Sequence, residues 1–252
     1  MEKISFFKSN GFNLAGVMHL PTKKGKVPLV VMNHGFTGSK SETHYMFTKL
    51  ARALAKNGIA AFRFDCFASG DSEGDYKDTN FYRDIADAKN AIAYAKSFKE
   101  INKKRVGVFG MSKGGYLTAI LCGECKDLKA AGMMCAPADY KGLWKDRLKN
   151  KSLRNKGLDF GGLFIGKSFF DALISFGDRN IESIRNFEKP LLLVHGSKDT
   201  VVNVNAARIY YKVSGSKKKK LVIVKGCDHC FTRLKWENRL IDLAVKHFKK
   251  NL

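Results

Sequence analysis

The chain reads as an α/β protein, a mostly parallel central sheet with helices on both faces. Three observations lead there. Short runs apolar on both sides, as buried parallel strands are, recur along the chain. They alternate with stretches whose apolar residues repeat at helical spacing, the rhythm that builds a sheet covered on both sides. And 252 residues with 44% hydrophobic content suffice for one large core, so length does not force a second domain.

Residues 3–20 alternate around Asn10-Gly11, which predicts a hairpin of two edge strands. Pro28 to His34 is the first buried strand and runs into His34-Gly-Phe-Thr-Gly38. From Glu42 to Asn57 the spacing predicts a helix, with Gly58 where it should stop. Residues 59–64 form the next strand, followed by a glycine-rich loop over 65–74 and a helix over 81–98. Arg105 to Phe109 is a strand, Tyr116 to Cys122 is helical, and 129–135 is again a central strand. The rhythm breaks between Ala136 and Phe187. Some 50 unstructured residues would be unusual in a compact domain, so this stretch is expected to be a small inserted cap at about 138–187, a hairpin plus helices, within a single domain spanning 1–252. Strands over 190–195 and 220–225, a helix over 203–213 and a closing amphipathic helix over 236–248 complete the pattern.

The formal charge of +23 raises the question of a nucleic-acid partner. Lysines are spread over loops and helix faces, and the longest run, Lys217 to Lys220, precedes an apolar strand; the expectation is a solvated basic surface with no specific nucleic-acid partner. No stretch approaches the ~18 apolar residues of a membrane span, and the first residues carry no signal-peptide pattern, which sets the expectation of a cytoplasmic protein. Cys122/Cys125 and Cys227/Cys230 have zinc-site spacing, but one pair falls on a helix end and the other brackets His229. They are expected to be reduced thiols, with no metal and no cofactor.

Gly110-Met-Ser-Lys-Gly-Gly115 links a strand to a helix. A serine at such a turn takes a strained backbone conformation that exposes its hydroxyl beside the free N–H groups of the helix start. The loop after each parallel strand converges on one edge of the sheet, and Ser112, Asp199 and His229 all lie in such loops. A serine hydroxyl needs a base, for which His229 is the candidate, and Asp199 would orient the imidazole.

Four stretches together, His34-Gly-Phe, Gly110 to Gly115, His195-Gly-Ser-Lys-Asp-Thr-Val-Val202 and Gly226-Cys-Asp-His229, resemble the α/β-hydrolase superfamily from about residue 27 onward. The softer likeness of Gly70-Asp-Ser-Glu-Gly74 and Gly162-Leu-Phe-Ile-Gly-Lys167 is to bacterial feruloyl and cinnamoyl esterases with a small cap. The resemblance implies the α/β-hydrolase fold, a serine carboxylic ester hydrolase with Ser112, Asp199 and His229 catalytic, and an oxyanion hole of the Phe36 and Lys113 backbone N–H groups. Its substrate would be a small-molecule ester, with a homo-oligomer compatible. Ser-Lys-Gly-Gly also resembles some acyl-CoA thioesterases, so a thioesterase or lipase-like acyl hydrolase is the alternative, with the Lys113 ammonium expected near the acyl site. His34 and His195 are read as structural.

Overall fold

The computed structural model describes residues 1–22 and 25–252. Strands β1 (Glu2–Ser9) and β2 (Phe12–His19) form an antiparallel hairpin. Both turn residues, Asn10 and Gly11, have positive φ, as the tight two-residue turn requires. β3 (Val27–Asn33) is buried along its whole length.

Helix α1 (Met46–Lys56) starts four residues later than the periodicity predicts. Glu42, His44 and Tyr45 all have positive φ, and the Glu42 carboxylate turns back to accept the Gly35 N–H. A side chain tied to the preceding loop competes with helix propagation. Gly58, φ 81°, ends the helical segment. β4 (Ala60–Phe64) follows, then α2 (Phe81–Ser97), capped by Asn80 accepting from Arg83 N–H at 3.0 Å. β5 (Ile101–Met111) is longer than expected at both ends, and α3 (Lys113–Glu124) begins directly after Ser112. β6 is Ala130–Met134.

Between β6 and the next sheet strand lie short helices α4 (Tyr140–Leu143), α5 (Lys145–Lys149) and α6 (Lys151–Lys156). A hairpin of β7 (Leu158–Phe160) and β8 (Leu163–Ile165) turns through Gly161-Gly162, both at positive φ. Then come α7 (Lys167–Ser175) and α8 (Arg179–Arg185). Their aromatics, Trp144, Phe169, Phe170 and Phe176, pack with Phe81 and Tyr116 in a cluster separate from the two on the sheet faces. β9 (Leu191–Gly196), α9 (Asn205–Val213), β10 (Lys219–Val224) and α10 (Leu234–Asn251) finish the chain.

The sheet has eight strands in the order β1-β2-β4-β3-β5-β6-β9-β10. The pairings from β4 through β10 are all parallel, and β1/β2 and β2/β4 are antiparallel. One face buries Phe62, Ile92, Val106 and Leu193; the other buries Phe47, Leu50, Phe109 and Phe248. This is the α/β-hydrolase fold. From β3 the chain steps to β4 on one side and then crosses to β5 on the other, so the strand order reverses between β3 and β5. The crevice at the carboxyl ends of those two strands is where ligands bind in such sheets. The His34-Gly-Phe loop leaves β3 there, and Ser112 leaves β5.

Candidate active site

Ser112 sits at φ 52°, ψ −118°, a conformation rare for a residue with a side chain. Its N–H donates to Met134 O at 2.9 Å and its carbonyl accepts from Tyr116 N at 3.0 Å, which holds the turn from both sides. The flanking glycines are there for close approach. A Cβ on Gly110 would lie 2.0 Å from Gly114 O, and one on Gly114 would lie 1.9 Å from Asn33 O. No side chain fits either place, so the start of α3 rests directly on the end of β3.

His229, in the loop after β10, puts Nδ1 2.7 Å from Asp199 Oδ2. Asp199 follows β9, and its side chain is fully buried. Its other oxygen, Oδ1, accepts from Val201 and Val202 N–H at 2.9 and 2.8 Å. The residue therefore shapes its turn and holds the imidazole at once. Burial pushes the Asp199 pKa up, but hydrogen bonds from His195 and His229 outweigh it and hold the carboxyl well below the usual range. His195 was expected only to pack. Its Nε2 lies 2.9 Å from Val202 O and 3.1 Å from Asp199 Oδ2, so it is a second support of this carboxylate. The four-residue spacing His195 to Asp199 across a strand end was the available signal.

Among the described residues Ser112 Oγ makes no hydrogen bond, to His229 or to any other group. The two are linked through Cys135, at φ 48°, whose neighbour Met134 takes the Ser112 N–H and whose Sγ lies within 4.8 Å of the ligand atoms of Asp199 and His229. Catalytic hydrogen bonds in unliganded sites are often open and tighten on substrate binding.

Neither Phe36 N–H nor Lys113 N–H meets an acceptor among the described residues. The loop that carries Phe36 is fixed from two sides. His34 Nε2 accepts from Cys66 N–H at 3.1 Å, so its proton is on Nδ1, which donates to Gly35 O at 2.8 Å. Burial, with the Lys113 charge adding to it, lowers the His34 pKa to about 4 and keeps it neutral. Glu42 grips the Gly35 N–H; burial pushes its pKa up against the N–H groups of Gly35 and Thr43. Neither Glu42 nor its role was visible in the sequence, because no motif spacing links it to residue 35.

The Lys113 ammonium is not at the acyl site as expected. It is buried with Asp84 of α2 at 3.0 Å, side chains 5% and 6% exposed. Burial lowers its pKa, but the Asp84 charge outweighs that and raises it. Its Nζ lies 5.9 Å from the centre of the Phe36 ring, so the pair underpins the loop opposite Ser112.

A cleft of about 410 Å³ runs beside this loop, lined by Thr37, Ser39, Glu42, Ser69, Tyr76 and, from β8, Leu163. Phe36 packs its ring 5.4–5.6 Å from Trp144, Phe160 and Phe169 of the excursion. All six cysteines are free. Among the described residues the trio of His, Cys and acid groups within metal-ligand reach of one another is Cys135, Asp199 and His229, and neither Cys-x-x-Cys pair belongs to it. No helix among the described residues is long and apolar enough to cross a membrane.

A family model described as X-Pro dipeptidyl-peptidase (S15 family) matches residues 10–160, and one described as serine aminopeptidase, S33, matches residues 163–233. The protein YfhR of Salmonella typhimurium is 28% identical over 235 residues, 90% of this chain and 74% of that protein. Est1E from Butyrivibrio proteoclasticus, solved with ferulic acid bound, superposes with a TM-score of 0.81 at 21% identity, covering 98% of this chain and 96% of that one. The esterase domain of a Rhodothermus marinus protein gives 0.76 at 23% identity, over 100% and 99%. Likenesses at this identity establish the fold.

Proposed function

The chain belongs to the X-Pro dipeptidyl-peptidase (S15) family of α/β-hydrolases, and from that premise we propose that it is a serine esterase, cleaving carboxylic esters through an acyl-enzyme on Ser112. The single observation that carries the reading is the buried Asp199 carboxylate bonded at 2.7 Å to His229 Nδ1, which leaves Nε2 as the ring atom free to take a proton. Ser112 Oγ attacks the ester carbonyl and gives its proton to Nε2. The oxyanion is met by the N–H groups of Phe36 and Lys113, each worth about 3–4 kcal/mol of barrier. The C–O bond breaks, and the alcohol leaves with the proton from His229. Water, deprotonated by the same imidazole, then releases the acid and restores Ser112.

Residues 138–187 act as a cap in this reading. The acyl class to test first is arylacrylic, feruloyl or cinnamoyl, because Phe36 and Phe160 remain partly exposed at the rim of the aromatic cluster, and Est1E carries ferulic acid. The thioesterase alternative rests on the Ser-Lys-Gly-Gly likeness alone, since the Lys113 ammonium expected near the acyl site is paired with Asp84 instead. An exopeptidase would need a free carboxylate for the substrate's terminal ammonium. Glu42 is the one acid among the residues lining the cleft, and the Gly35 and Thr43 N–H groups occupy it. Turnover of methyl ferulate, nitrophenyl acetate and butyrate, an acyl-CoA and a glycyl-prolyl anilide separates the cases. Esters should be turned over fastest; anilide or acyl-CoA turnover above every ester would overturn the assignment.

A further inference from the structure

The Lys217 to Lys220 run has no part in ester hydrolysis, yet it lines a second concavity. The start of β10 and the last turns of α10 enclose a cleft of about 610 Å³ whose floor includes Leu192, Leu243 and the His247 ring. Five lysines line it: Lys218, Lys219 and Lys220 from the strand side, Lys246 and Lys250 from the helix. No acid is among the lining residues. None of the five forms an ion pair among the described residues, and Asp242, one turn before Lys246, pairs with neither Lys246 nor Lys250. Lys219 Nζ is held by Ser214 O at 2.8 Å.

The molecule supplies its own control. A third cleft, of about 700 Å³, is lined by Lys89, Lys96, Lys103 and Lys126, but Glu124 and Asp127 are there as well. Lys89 pairs with Glu124 at 2.7 Å and Lys96 pairs with Asp127. One lysine cleft has half of its charge neutralised from within, and the other holds no acid. His247 of α10 is also among the residues lining the acid-free one. Burial, with the Lys220 charge adding to it, lowers the His247 pKa to about 4, so the ring is neutral without a ligand.

We propose that this cleft is a binding site for a soluble oligophosphate, an inorganic triphosphate or the phosphate chain of a nucleotide. Lys219 is committed to Ser214 and the Tyr211 ring, but a cleft lined by four further lysines and no acid suits an anion that carries three or more charges on a short chain. The cleft lies at the amino ends of β9 and β10, while Ser112, Asp199 and His229 follow the carboxyl ends of their strands. Six-residue strands separate the two by about 20 Å, so the oligophosphate is not the hydrolysed substrate. The apolar floor would add affinity for a nucleobase over the bare chain.

The test is calorimetric titration of the whole protein with sodium tripolyphosphate and with ATP, at about 50 mM salt and again at about 200 mM. Three proteins are compared: wild type, Lys220→Ala/Lys246→Ala/Lys250→Ala, and Lys8→Ala/Lys126→Ala/Lys151→Ala, which removes the same charge from exposed sites elsewhere. Saturable one-to-one binding is expected, weakened roughly tenfold or more in the cleft variant and less than about twofold in the control. The His247 ring proton resonances should move on titration. ATP tighter than tripolyphosphate assigns the natural source as a nucleotide; equal affinities assign it as a free polyphosphate. Equal weakening of both variants would reduce the effect to net charge and overturn the site, as would the absence of saturable binding in wild type.

Discussion

Replacing Lys113 separates what its side chain does from what its backbone does. The Lys113–Asp84 pair is 3.0 Å long with both side chains at least 94% buried. At an effective dielectric of about 20, the attraction at that distance is roughly 5–6 kcal/mol, most of it offset by the cost of removing two charges from water. Breaking one side leaves a buried carboxylate with no counter-charge, which costs about 3–5 kcal/mol, whereas replacing both partners by apolar groups is near neutral. Lys113→Met should therefore lower the free energy of unfolding read from urea melts by that amount, and Lys113→Met/Asp84→Leu should return to within about 1 kcal/mol of wild type. The N–H that the proposed mechanism assigns to the oxyanion belongs to the backbone of residue 113 and survives in either variant. The double variant should then keep ester turnover within about tenfold, because the ammonium itself takes no part in the chemistry. A single variant that loses less than about 1 kcal/mol, or a double variant worse than the sum of the singles, would refute the reasoning.

Asp87 should shape the acid side of the stability profile. Burial pushes its carboxyl from the ordinary 3.8 up to about 6, against hydrogen bonds from Ser9 and Phe67 N–H. Between those values the native state holds a proton that the unfolded chain has lost. Stability should fall by about 1.4 kcal/mol per pH unit as pH rises through that window, about 3 kcal/mol in all. Asp87→Asn should flatten that slope in urea melts at about pH 4.5 and about pH 7, and an unchanged slope would contradict the assignment. Gly114→Ala puts a methyl 1.9 Å from Asn33 O; it should cost about 3 kcal/mol or more, read as a drop in Tm, and remove turnover. Asp199→Asn should reduce kcat on the order of 10³–10⁴-fold with KM little changed, measured by steady-state hydrolysis of a nitrophenyl ester.

Most of the sheet was legible because buried parallel strands announce themselves as unbroken apolar runs, as in Pro28 to Met32 or Leu191 to Val194. Helix boundaries were less so. Periodicity places Glu42 in a helix, and only the folded chain brings its carboxylate to Gly35. Ser112, Asp199 and His229 stood out because each follows a strand, and strand-following loops share an edge by topology. Contacts made across the fold were not legible. Asp84 lies 29 residues from Lys113 and meets it through the packing of α2 against α3, so the sequence left the ammonium at the site when it is buried beneath it. His195 was read as packing because it closes a buried strand, although its four-residue spacing to Asp199 already pointed to that carboxylate.

The measurement that bears most directly on the account is peptide mapping by mass spectrometry after reaction with a fluorophosphonate, which phosphonylates an activated serine. The account predicts one adduct, on the peptide containing Ser112, with loss of ester turnover in step with labelling and neither signal in Ser112→Ala. An adduct on another residue, or ester turnover that persists in Ser112→Ala, would contradict it.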